Sequence, residues 1–167
     1  MSYPDHSTSD NVAMQAIMTA LRACYGSLDE PNFHKVSEVL KSDPYRPLVE
    51  LLRSSGIQVT DTTDLNNDVS VRLVLDRSGD QVGLALSGVG PYAALLYQDA
   101  AERYSWVTQP QNAPTPLAAL VAQAVQGAGF ELLDRSLASR TIRMNWYDGS
   151  EEAALYQALF TDSDVIP

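Results

Sequence analysis

The sequence is short of the residues that most catalytic sites and secreted scaffolds depend on. Its 167 residues include one cysteine, Cys24, and two histidines, His6 and His34. A single cysteine excludes an internal disulfide and allows a reducing compartment. With His6 in an N-terminal polar stretch, a Ser–His–Asp or Cys–His arrangement would have to use His34, because a base must reach its nucleophile. Cys24 falls on or near the apolar face of the first helical pattern, where a thiol is a small core residue rather than an activated thiolate. No G-x-S-x-G elbow, Walker loop or H-E-x-x-H is present. Basic residues are also few: 11 Lys and Arg against 21 Asp and Glu, a formal charge of −10. That balance argues against nucleic acid or an anionic membrane as a partner, since both need a basic footprint. No apolar run approaches the roughly 20 residues of a membrane span. The opening MSYPDHSTSDN lacks the basic and apolar regions of a signal peptide. A cytoplasmic protein is expected.

What is present is an ordinary globular composition, 45% apolar and 19% charged. Residues 1–9 read as a flexible tail and 10–167 as a single α+β domain. Asp10 or Asn11 is placed to cap a helix carrying Met14, Ile17, Met18, Leu21 and Tyr25. Asp29 starts a second helix with Phe33, Val36, Val39 and Leu40 on one face. Asp43 followed by Pro44 reads as cap and first turn of a third, through Leu48, Leu51 and Leu52 to Gly56. The period then changes from 3.6 to 2. Val71, Leu73 and Leu75, a turn at RSGD, and Val82, Leu84 and Leu86 predict a β-hairpin. Strands at 92–97 and 104–108 extend it into an antiparallel meander. Thr115 and Pro116 open a helix that stops at Gly127 or Gly129. Strands follow around 130–134 and 139–146, and Ser150 is expected to cap a last helix with Glu151 and Glu152 in its first turn. The fold class is thus a helical N-terminal third, an antiparallel meander sheet, and C-terminal helices packed on one face.

Two stretches invite a ligand. SGVGPYAAL sets Gly88, Gly90 and Ala93 in the spacing G-x-G-x-x-A. Over six residues it resembles the G-x-G-P-x-G variant of flavin-binding Rossmann proteins, with alanine for the last glycine. That resemblance implies a nucleotide-binding enzyme in which PYAALLYQDAAERY is a helix with its N-terminus on a phosphate. The fold also needs an acidic residue about 20 positions on, and from Tyr104 to Phe130 there is no charge at all. The corner therefore reads as a turn between strands, its glycines supplying positive φ. In DTTDLNNDV, Asp64, Asn66 and Asp68 match positions 1, 3 and 5 of a calcium loop, but position 6 is Val69 and position 12 is Leu75. Neither a cofactor nor a metal is expected.

Two further features point to partners. The uncharged run of 27 residues from Tyr104 to Phe130 includes a helix whose Ala118, Ala119, Ala122, Gln123 and Gln126 lie opposite its apolar stripe. Surface helices normally carry charge there, so the helix at 116–127 is either covered by its own domain or forms a homodimer. After Arg143 come Asp148, Glu151, Glu152, Asp162 and Asp164 with no basic residue, beside Trp146 and Tyr147. Aromatics bordered by carboxylates suit a basic protein surface, with the rings as anchors and the charges steering. The expected function is non-catalytic binding, in the manner of an inhibitor or immunity protein that neutralises a basic toxin or enzyme.

Overall fold

The computed structural model describes residues 6–161 and 166–167, with side chains from residue 11 onward. The hairpin read from the alternating leucines is its centre. Strand β1 (Gln58–Asp61) is followed by β2 (Ser70–Arg77) and β3 (Asp80–Ser87), and β2 and β3 pair from Arg77↔Asp80 to Ser70↔Ser87. The linking Ser78 and Gly79 have φ of 57° and 84°. Positive φ at both central residues gives a turn whose twist matches that of the strands. β4 (Tyr92–Gln98) pairs antiparallel with β3, β5 (Tyr104–Trp106) with β4, and β1 with β2. The order is β1-β2-β3-β4-β5, and a short β6 (Glu131–Leu132) runs parallel to the start of β4. The meander is as expected; β1 was not foreseen, because QVTD carries little apolar alternation.

Three helices make up the N-terminal third: α1 (His6–Tyr25), α2 (Phe33–Lys41) and α3 (Arg46–Ser54). α1 begins inside the stretch read as a tail. Two caps differ from expectation. Asn32, not Asp29, caps α2 by accepting from the Lys35 N–H, while the Asp29 and Glu30 N–H groups donate to Ser27 Oγ in the preceding turn. Asp43 has φ of 51°, outside the extended geometry of a helix cap, and its carboxylate instead accepts from Arg46 Nε at 2.8 Å. Pro47, rather than Pro44, occupies the first turn of α3. α4 (Pro116–Gly127) starts at Thr115 as read, with the Thr115 hydroxyl accepting from the Ala118 N–H.

Successive residues of a strand point to opposite faces, and each face of this sheet has its own core. On one, Leu73, Leu75, Leu84, Leu86 and Leu95 meet Leu48 and Leu52 of α3 and Leu117, Val121 and Val125 of α4. On the other, Ala85, Tyr92 and Ala94 meet Ile17, Leu21 and Tyr25 of α1, Val36 of α2 and a set of C-terminal residues. Those come from α5 (Arg135–Ala138), a two-stranded sheet of β7 (Thr141–Arg143) and β8 (Glu152–Ala154), α6 (Leu155–Leu159) and the segments beside them, which supply Leu133, Met144, Trp146 and Phe160. So α4 covers one face and α6 contributes to the other.

The end of the chain corrects the expected Ser150 cap. Glu152–Ala154 is a strand, and the helix begins only at Leu155. The Ser150 hydroxyl is turned back on its own strand, donating to the Glu152 carbonyl at 3.1 Å. At the true helix start, Gln157 reaches back to accept the Ala154 N–H at 2.8 Å.

Candidate partner-binding site

The glycine corner is a strand connection, not a strand-to-helix turn. Tyr92–Gln98 is a strand antiparallel to β3, so the corner does not open the helix that a phosphate loop requires. Their role also differs from the expected one, because neither has a positive φ. A Cβ on Gly88 would stand 2.9 Å from Val36 Cγ1, 3.0 Å from Leu40 Cδ2 and 3.1 Å from the Val69 carbonyl. Glycine suits this place because α2 crosses the corner so closely that a side chain would have to push Val36 and Leu40 aside. The Cys24 thiol faces the Gly88 carbonyl here, and burial pushes its pKa up despite the opposing influence of Lys35.

The Asp64, Asn66, Asp68 triplet closes on itself. Asp64 Oδ1 accepts from the Asn66 N–H, its Oδ2 from Asn67 Nδ2, and its own N–H donates to Asp68 Oδ2 at 2.8 Å. Asp68 Oδ1 lies 3.5 Å from Arg72. Among the described residues no three His, Cys, Asp or Glu side chains are grouped to hold a metal.

The uncharged helix is turned otherwise than its sequence was read. Ala118 and Ala122 are fully buried against the sheet, leaving Gln123 and Gln126 outside. Gln126 is itself engaged, donating to the Thr108 carbonyl at 3.1 Å.

The C-terminal aromatics form a cluster with Phe33, which the sequence reading had assigned to the apolar face of the second helix. The β7–β8 hairpin continues past its strands through Met144 N–H to Glu151 O and Trp146 N–H to Ser150 O, and turns at Gly149 with φ of 84°. Its tip is pinned to the turn before α2, where Asn145 N–H donates to the Leu28 carbonyl at 2.8 Å and Asn145 Nδ2 to the Asp29 carbonyl at 2.6 Å. Trp146 and Tyr147 then part ways. Trp146 is buried, which removes it as a direct anchor. Tyr147 is 57% exposed and lies stacked on Phe33, centroids 3.8 Å apart at 27°. Phe33 is braced edge-on by Trp146 at 5.2 Å and Tyr25 at 5.4 Å. One exposed ring thus rests on three others.

Of the carboxylates, Asp148 is exposed beside Tyr147, and hydrogen bonds from Ser150 hold its pKa below the usual carboxylate range. Glu151 and Glu152 are exposed, and Glu152 is in register with Arg143 across the β7–β8 pair. Asp162 and Asp164 lie outside the described residues. The residues missed by the sequence reading are Phe33, taken for an ordinary core position, and Leu65. Leu65 did carry a signal: it is a lone large apolar residue inside DTTDLNNDV, and it is 45% exposed.

Among the described residues, no helix is long and apolar enough to cross a membrane. No protein-family model matches the chain, and neither the curated proteins nor the solved structures compared with it give a match.

Proposed function

We propose that the protein is a non-catalytic, cytoplasmic binding protein that captures a basic protein partner through the hairpin tip at Tyr147, as an inhibitor or immunity protein would. The observation that carries this reading is the exposed Tyr147 ring stacked on the braced Phe33. An exposed aromatic costs little conformational freedom on binding when its position is already fixed, and such anchors dominate interface energies. Asp148, Glu151 and Glu152 on the same hairpin add a field that draws a cation from a distance, as does the formal charge of −10.

The test is affinity capture from native cells, followed by kinetics against salt. A basic partner is expected, with association slowing as salt rises because charges are screened beyond about 8 Å at physiological ionic strength. Tyr147→Ala should weaken binding by about 30-fold or more, chiefly by faster dissociation. Neutralising Asp148, Glu151 and Glu152 together should instead slow association and flatten its salt dependence. A partner indifferent to both changes would overturn the proposal.

A further inference from the structure

Beside Tyr147 a cavity of about 250 Å³ opens between α2 and the loop that precedes β2. Its apolar lining is Phe33, Val36, Leu65, Val69 and Tyr147, and its polar lining includes His34, whose ring lies 3.7 Å from Glu38, together with Asn66 and Asp68. We infer that this cavity is the receptor for one arginine side chain of the basic partner, an inference that rests on the function proposed above.

The size is below the roughly 300–1,000 Å³ of small-molecule pockets, so one long side chain fits it better than a cofactor does. The walls match the two halves of arginine. Aliphatic groups of Val36, Leu65 and Val69 suit its methylene stem, and the exposed Tyr147 ring, backed on its other side by Phe33, suits its flat guanidinium. Asp68 supplies the counter-charge. Its side chain is 5% exposed, and an ionised carboxylate offers about four acceptor positions. One oxygen takes the Asp64 N–H, and the other has Arg72 only at the long distance of 3.5 Å. Asp68 therefore keeps acceptor positions beyond these two contacts. The surrounding segment favours a cation too, with Asp61, Asp64 and Asp68 set against Arg72 alone. Leu65 and Tyr147 are also two of the five large apolar side chains left exposed among the described residues, and both line this one cavity.

The experiment titrates the folded protein with N-acetyl-arginine amide and follows the side-chain methyl resonances by NMR. The methyls of Val36, Leu65 and Val69 should shift together and saturate. N-acetyl-citrulline amide, of the same shape without the charge, should bind at least about tenfold more weakly, the worth of one charge-assisted hydrogen bond. Asp68→Asn should cause a similar loss. Should that variant fail to fold, Leu65→Ser on the exposed rim should also weaken the arginine probe while leaving the core alone. Equal binding of the citrulline and arginine probes, tighter binding of N-acetyl-lysine amide, or shifts that bypass these methyls would overturn the inference. A cavity that ignores the probe, in a protein whose partner is still lost on Tyr147→Ala, overturns the arginine receptor and leaves the hairpin anchor standing.

Discussion

The two faces of the central sheet are covered in different ways. One carries a core of leucine, valine and alanine laid down by two regular helices, α3 and α4, on alternating strand residues. The other carries a core richer in aromatic rings, among them Tyr25, Trp146, Tyr156 and Phe160, assembled from α1, α2 and short C-terminal pieces. The first core is periodic, each strand and helix contributing residues at its own spacing, although α3 and α4 lie far apart in the chain. The second depends on contacts between segments far apart in the chain, such as the Ser70 hydroxyl donating to the Phe160 carbonyl at 2.7 Å and the Tyr25 hydroxyl donating to the Ala158 carbonyl at 2.8 Å. The exposed Tyr147 grows out of this second core. The proposed recognition surface therefore rests on the irregular half of the molecule.

The largest test of that contrast is to truncate one residue in each core. Phe160→Ala should cost about 3–5 kcal/mol and Leu84→Ala about 2–5 kcal/mol, since both side chains are almost wholly buried. Chemical denaturation followed by far-ultraviolet and near-ultraviolet circular dichroism distinguishes two outcomes. Coincident transitions in both variants would mean that the cores melt as one unit. Loss of the aromatic signal before the sheet signal in Phe160→Ala alone would mean that the second core is a separable layer.

Alkaline pH should attack the aromatic side next. Burial pushes the phenols of Tyr25, Tyr45 and Tyr156 up, that of Tyr45 to about 12, and the Tyr45 hydroxyl donates to the Ser87 carbonyl. A phenol whose proton is held more tightly in the folded state adds stability that is complete below its unfolded value, about 10, and is lost as pH rises through the folded one. Stability should therefore fall between about pH 10 and 12. In Tyr25→Phe and Tyr45→Phe the fall should be shallower, from a lower starting point because a hydrogen bond is gone. A profile unchanged by either substitution would show that these phenols do not set the alkaline limit.

The contrast between the cores is also a contrast in what the sequence reveals. Val71 to Leu86 could be read because strand alternation and a two-residue turn are local properties, and Thr115 with Pro116 because a cap needs only its neighbours. Ser150 misled for the opposite reason. Its residue type suits a cap, but the hairpin from Met144 to Glu151 claims its backbone and hydroxyl first. The site was half legible. Tyr147 and Asp148 stood out by composition, whereas Phe33 meets Tyr147 where Asn145 pins the hairpin to the turn before α2. Nothing within a short window encodes that.

Gly88 lies within the second core, at the junction of the β3–β4 corner with α2. Gly88→Ala should cost about 1–3 kcal/mol, because the new methyl meets Val36, Leu40 and a backbone carbonyl at 2.9–3.1 Å. Val36→Ala in the same chain should recover part of that loss by vacating the nearest contact. Additive costs, measured as a double-mutant cycle, would mean that the corner yields elsewhere and that close packing is not why glycine stands there.

Gly83 provides the smallest test and the one of opposite sign. It stands in the middle of β3, between Val74 of β2 and Leu96 of β4, with no atom within 4 Å of where a Cβ would be. Its φ is not positive, so an alanine adopts the same backbone without strain. What glycine costs at such a place is the freedom it has in the unfolded chain, and removing that freedom stabilises by about 0.4–1 kcal/mol. The residue faces the part of the second sheet face that is not closed over, among Arg72, Gln98 and Tyr104. Gly83→Ala should therefore raise the denaturation midpoint slightly, with an unchanged dependence on denaturant, whereas Gly88→Ala lowers it. If Gly83→Ala is instead destabilising, the space above β3 is filled in the folded protein, and the contrast between a closed and a half-open sheet face is lost.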